Sequence, residues 1–199
     1  MGIFTQIRNE CLIKELSREL NTDVLLFGFD GFVYFGNLQA IDDCRIAILT
    51  PAIEADTNAV EILTPGGERI EVEFANVDLW QVVAKGTGIA EDPLEENSNN
   101  ANAAPPAPDA AAEVRTEAER QESHELIHQL RRRIGDEVVI TTLGGFLFDG
   151  ILTDVEDELA ILRVQDIFVP GASEAISGDN VRSVIVNLEA LTSVSGAAS

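Results

Sequence analysis

The chain has only two histidines, and they lie four residues apart in Ser-His-Glu-Leu-Ile-His-Gln, residues 123–129. His124-Glu125-x-x-His128 matches the H-E-x-x-H pattern, in which two imidazoles one helical turn apart ligate zinc and the Glu is the general base. The apolar residues of the same stretch decide where these side chains point. At roughly 100° per residue, Leu126, Ile127, Leu130 and Ile134 form one stripe that must pack inward. His124 and His128 fall more than about 100° from the centre of that stripe, toward solvent. There is no third His, so Asp or Glu would have to complete a zinc site, and strands rather than a second helix follow. The pattern therefore predicts adventitious metal binding at His124 and His128, with a zinc hydrolase as an alternative reading. The chain has no P-loop, no G-x-S-x-G and no Cys-His pairing on a shared element. Thr-Pro-Gly-Gly-Glu-Arg reads as a hairpin turn, because a strand follows it, whereas a phosphate cradle needs a helix there. The expectation is a non-enzyme with no cofactor.

Charge narrows the partners. There are 35 Asp and Glu against 13 Lys and Arg, a formal net charge of −22. Such a chain is repelled by nucleic-acid phosphates and by anionic membranes unless its few cations cluster. One cluster exists, Arg131, Arg132 and Arg133 beside His128. It could touch phosphate, but cations at a helix C-terminus are also favoured by the helix dipole. Phe32, Phe146 or Trp80 could stack on bases if exposed; aromatics on strands more commonly pack a core or a subunit contact. Cys11 and Cys44 form no CxxC and are expected to be reduced. Neither a signal peptide, an acylation signal nor an apolar run of about 18 residues is legible, which predicts a cytoplasmic protein with no membrane partner.

The elements that carry these residues occur twice. Shifting the chain by 114 positions superposes Leu12, Ile13, Leu16 and Leu20 on Leu126, Ile127, Leu130 and Ile134. The same shift places Val24 to Leu26 on Val138 to Ile140, Gly31-Phe32 on Gly145-Phe146, and Gly36-x-Leu38 on Gly150-x-Leu152. Asp43 falls on Asp157; one residue is then extra in the first copy before Ile-Ala-Ile-Leu matches Leu-Ala-Ile-Leu. This is an internal duplication. Each copy predicts a helix, at about 6–20 and 117–134, followed by five short, bent antiparallel strands. That is the size of a small closed barrel, which leaves no sheet edge. Residues 86–117 are rich in Ala, Pro, Asn and Glu and read as a linker.

The two copies resemble the Sm-like (Lsm) family. The first motif of that family is matched by Gly36, Leu38, Asp42, Ile46 and Ile48, and by Gly150, Leu152 and Glu156. The second is matched by Ile176, Gly178, Asn180, Val181 and Val184; in the first copy only Ala75 to Val83 is similar. Gly36 and Gly150 would permit the bend that closes a barrel. Leu38 and Leu152 would fill it together with Tyr34 and Phe148, and Asn180 after Gly178 would suit the turn into the last strand. The resemblance implies assembly by pairing the last strand of one barrel with the fourth strand of the next, in rings of six or seven barrels. At the positions where RNA-binding members carry Asn and Arg-Gly, this chain has Arg45 or Leu159, and Ser177, so the base pocket is not kept.

These readings predict a mainly β protein of two tandem Sm-like (SH3-like) five-stranded barrels, each preceded by an α-helix. The boundaries are 1–85 for the first barrel, 86–117 for the acidic linker, 118–192 for the second barrel and 193–199 for a flexible tail. The predicted function is a structural scaffold that self-assembles into a ring of three chains or a filament. The barrel and assembly residues would be Gly36, Leu38, Asp42, Gly150, Leu152, Glu156, Gly178 and Asn180. The alternative is an RNA-binding ring using Arg45, Arg131, Arg132 and Arg133.

Overall fold

A computed structural model describes residues 9–95 and 119–196, with side chains from 125 onward in the second part. The protein is mainly β. The first repeat starts with α1 (Glu10–Leu16), which tightens into a 3-10 turn (Ser17–Glu19). It continues through β1 (Asp23–Gly28), β2 (Val33–Asp42), β3 (Ile46–Thr50), β4 (Val60–Leu63), β5 (Arg69–Val72), β6 (Ala75–Asp78) and β7 (Val82–Ile89). The second has α2 (Glu119–Arg131), β8 (Glu137–Thr142), β9 (Leu147–Glu156), β10 (Leu159–Phe168), β11 (Ile176–Ser177), β12 (Val181–Asn187) and β13 (Leu191–Gly196).

The duplication extends to strand register. β1 pairs β2 with Val24 opposite Gly36, and β8 pairs β9 with Val138 opposite Gly150. β3 sets Ile48 against Asn76 of β6, and β10 sets Ile161 against Ile185 of β12. β1 sets Leu26 against Lys85 of β7, and β8 sets Ile140 against Val194 of β13. Even the irregularity in the β1–β7 ladder recurs between β8 and β13. The turns after β2 and β9 use Asp43 (φ 47°) and Asp157 (φ 49°), in the left-handed region that Asp tolerates better than most residues.

All strands belong to one antiparallel sheet, whose main path is β13-β8-β9-β10-β12-β7-β1-β2-β3-β6. The expectation that each set of strands closes into a barrel of its own is corrected here: the sheet is not closed. The last strand of the first repeat, β7, pairs β12 of the second instead of returning to β6. Both cores consequently cross the repeat boundary. Alternating β1 side chains serve both: Leu25 and Phe27 join a cluster with Phe146, Phe148, Leu152 and Val184, while Val24 and Leu26 join α1, Leu38, Leu159 and Ile185.

Several predicted boundaries move. β7 continues to Ile89, so residues 86–89 are strand rather than linker. Asp92 and Leu94 also contact the fold, through an ion pair to Arg69 and packing on the core. Residues 96–117 of the predicted linker lie outside the described residues. Residues 193–196, predicted as tail, belong to β13, the true last strand of the second repeat. Gly178 and Asn180 therefore lie in the turn before β12, one strand earlier than the second motif would place them.

The repeats differ in one insertion. β10 runs unbroken, whereas its counterpart is split into β3 and β4 by residues 51–59. Asp23, a buried carboxylate, holds that segment. It accepts from the amides of Ile53 (2.8 Å), Glu54 (2.7 Å) and Ala55 (2.9 Å), and from Asn37 Nδ2 (2.8 Å). The matching residue in the second repeat, Glu137, is exposed.

Candidate functional site: the joint between the repeats

The best-built feature is the junction of β7 and β12. Val181 faces Ile89, Ser183 faces Thr87, Val184 faces Gly86, Ile185 faces Lys85 and Val186 faces Ala84. The Thr87 and Ser183 hydroxyls bond each other at 3.0 Å. Below the ladder, Phe27 meets Phe146 and Phe148 edge-on, with centroids 5.2 and 5.1 Å apart. Such edge-to-face contacts are the favoured geometry for aromatic rings and add to the burial itself.

Polar groups fasten the helix end of the joint. Asn9, just before α1, is buried. Its Nδ2 donates to the carbonyls of Leu79 and Val82 (the latter at 2.8 Å), and its Oδ1 accepts from Asn187 Nδ2 of the second repeat. Asn187 also caps the 3-10 turn Leu188–Ala190, accepting from the Glu189 amide at 2.9 Å. Asp78 does the same for Leu79–Gln81, accepting from the Trp80 amide at 3.1 Å. Cys11 of α1 lies by the β9–β10 turn, where burial and the Glu158 and Asp157 carboxylates push its thiol up. Lys85, fully buried on β7, has its ammonium 2.7 Å from Glu19 Oε1. Its desolvation lowers the pKa against the pull of Glu19. The pair ties the end of the helical segment to the seam strand.

At the two ends of the sheet path, β6 and β13 have no outer strand partner among the described residues. The β6 end is unusually apolar. Phe74 is 62% exposed, Trp80 and Phe29 are each 40% exposed, and the stacked rings of Phe32 and Tyr34 are half-buried with centroids 6.3 Å apart. Their counterparts in the second repeat, Phe146 and Phe148, are buried under Phe27. Exposed apolar clusters of this kind commonly mark an interaction surface.

The predicted barrel residues take their places as follows. Leu38 and Leu152 are fully buried, as is Phe148, while Tyr34 is half-buried. Gly36 and Gly150 sit where the neighbouring strand crosses closely. A Cβ on Gly36 would lie 2.6 Å from the Thr50 carbonyl, and one on Gly150 would collide with the Arg163 carbonyl. The close approach of the next strand is thus what demands glycine. Asp42 and Glu156 end β2 and β9 with exposed side chains.

The candidate RNA residues are not gathered in one place. Arg45 pairs with Asp78 (Nη2 to Oδ2 2.9 Å, Nε to Oδ1 3.3 Å), and its guanidinium lies 6.0 Å from the Trp80 ring centroid. Arg131 donates to the Val155 carbonyl at 3.3 Å, and Arg132 and Arg133 are exposed at the end of α2. Phe146 is buried and presents no stacking face. His128 is exposed on α2, and the His124 side chain lies outside the described residues. Among the described residues no group of three or more His, Cys, Asp or Glu could hold a metal, and no helix is long and apolar enough to cross a membrane.

Asn9, Phe27, Lys85 and Asn187, which make the joint, were not legible as site residues. One signal was present: Asp78-Leu79 and Asn187-Leu188 precede the last strand in both repeats. No protein-family model matches the chain, and no curated protein matches it in sequence.

Proposed function

We propose that this protein is a non-enzymatic scaffold whose tandem repeats, each an Sm-like unit, assemble chain to chain by strand pairing. The observation that carries this reading is the β7–β12 ladder, where one repeat already receives the last strand of the other, while the equivalent strands β6 and β13 have no outer strand partner among the described residues. The apolar surface beside β6 supports it: Phe74, Trp80 and Phe29 are exposed there, and Phe32 and Tyr34 are half-buried where their counterparts Phe146 and Phe148 are fully buried. Three chains would present six repeats in a ring; the same pairing without closure would give a filament. Light scattering tests the reading. A mass three times 21.5 kDa is expected for the ring, and much larger particles for a filament. A strict monomer at all concentrations overturns it. Electron micrographs then separate ring from filament.

A second reading, RNA binding by the same assembly, rests on the exposed Arg131, Arg132 and Arg133. With a net charge of −22 the electrostatic contribution opposes it. Titration with U-rich and A-rich RNA at low salt decides the point, and no shift there removes the reading.

A further inference from the structure

We propose that residues 90–95 are a proton-controlled strap, closed on the β4–β5 hairpin at acid pH and released as the pH rises to neutrality and beyond. The device works within one chain and is independent of assembly.

Closure hangs on one cation. Arg69, the first residue of β5, offers the same nitrogen, Nη2, to two carboxylates: Glu61 Oε1 on β4 and Asp92 Oδ2 on the strap, the latter at 3.0 Å. Its Nη1 donates to the Leu94 carbonyl at 3.3 Å. Asp92 also accepts from the Leu94 amide at 2.9 Å, which folds the strap back on itself. Pro93 is buried, and Leu94 packs on the core that the two repeats share. The backbone adds long bonds, from the Ala90 amide to the Asn180 carbonyl at 3.3 Å and from the Glu95 amide to the Asp92 carbonyl at 3.4 Å.

Glu61 is where the proton acts. Its side chain is 5% exposed, and its Oε2 is buried with no hydrogen-bond partner among the described residues. An orphaned buried acceptor is costly, and a proton on Oε2 converts it into a donor toward the neighbouring Asp92 carboxylate. With both carboxylates ionised, the two acids exceed the single guanidinium by one negative charge; with a proton shared between them the cluster is neutral. The surroundings act in the same direction. Glu71 stands opposite Glu61 on β5, Glu91 and Glu95 lie on the strap, and β2 sets the uncharged Phe35 opposite Glu61. Burial, aided by Asp92 and opposed by Arg69, raises the Glu61 carboxyl to about 7.

Opening the strap admits water to Glu61 and returns its carboxyl toward the ordinary 4.5. The closed state therefore binds the proton more tightly. Its advantage is full below about pH 4.5 and is lost as the pH climbs through about 7. The strap is the partner that moves, because Glu61 is fixed between the β2 and β5 ladders.

Hydrogen exchange of the full chain tests the switch, read on peptides spanning residues 90–95 and corrected for the intrinsic pH dependence of exchange. Strap protection should fall on the order of ten-fold between pH 5.5 and pH 8, while β9 and β10 keep theirs. In Glu61→Gln the amide donates to Asp92 at either pH, so the strap should stay protected at both. Arg69→Ala, at the exposed start of β5, should leave the strap unprotected at both while β9 and β10 stay protected. Strap protection that is indifferent to pH overturns the proposal. So does a Glu61→Gln chain that keeps the wild-type fall, or a fall of equal size in β9 and β10.

Discussion

The next-to-last strands of the two repeats, β6 and β12, have matching neighbours on one side, β3 and β10, and differ on the other. Strand β12 is paired by β7, its Val184 and Val186 share a core cluster with Phe27, and its Asn187 donates to the Asn9 side chain. Strand β6 has no outer strand partner among the described residues and lies between the exposed Phe74 and Trp80. The residues that would make the second joint are also more polar: Thr141 stands for Phe27, and Ser193 for Ala84. Duplication has thus placed one backbone pattern in two settings. Inside the chain it is a seam with a shared core, and at the ends of the sheet path it is an edge with fewer apolar side chains at the matching positions.

Breaking the inner seam should cost most. Phe27→Ala removes a buried ring from between Phe146 and Phe148, and about 3–5 kcal/mol of stability should be lost in denaturant unfolding. Thr141→Ala, at the matching position of the open seam, should cost under about 1 kcal/mol in the free chain. Equal losses would mean that the seams are alike. Next in size is Asp23→Ala, which strips three backbone amides of a buried acceptor and should cost about 3 kcal/mol. The counterpart Glu137→Ala should stay within about 0.5 kcal/mol, and proteolysis should cut the variant Asp23→Ala first within residues 51–59.

Asn9→Ala leaves the Leu79 and Val82 carbonyls without their donor and should cost about 2 kcal/mol. Because the bond to Asn187 crosses the seam, hydrogen exchange should rise in both repeats. A rise confined to α1 would show that Asn9 serves only its own repeat.

The smallest effect concerns Glu61 on β4. Burial raises its carboxyl to about 7, Asp92 nearby acts the same way, and Arg69 opposes both. A raised acid holds its proton in the folded state, so this contribution is present below about pH 4.5 and is lost as pH rises through about 7. The variant Glu61→Gln should flatten that decline, on the order of 1 kcal/mol or about 3 °C between melts at pH 5 and pH 8. An unchanged slope would place the decline elsewhere.

The repeat was legible in the sequence because its apolar spacing and its Gly-x-Leu recur at a fixed distance, and the structure repeats it in register. What escaped was edge chemistry. Leu-Thr-Ser-Val-Ser-Gly reads as tail because an edge strand needs few apolar residues, yet it forms β13. Gly-Thr-Gly-Ile reads as linker, although Gly86 and Gly88 are small because Val181 and the Arg182 stem press against them. Ser-Gly-Asp-Asn imitates the expected last turn since many tight turns use those residues; the capping Asp78 and Asn187 mark the true one. The joint itself was out of reach, because spacing along a chain reveals which residues are buried but not which repeat buries them.

The covalent link across the inner seam has a counting consequence. With β7 and β12 paired inside each chain, repeats enter any larger structure two at a time. A closed circle built this way contains an even number of them, and one of seven is forbidden. The insertion held by Asp23 would then mark every second position, so that a circle of six repeats has three-fold rather than six-fold symmetry.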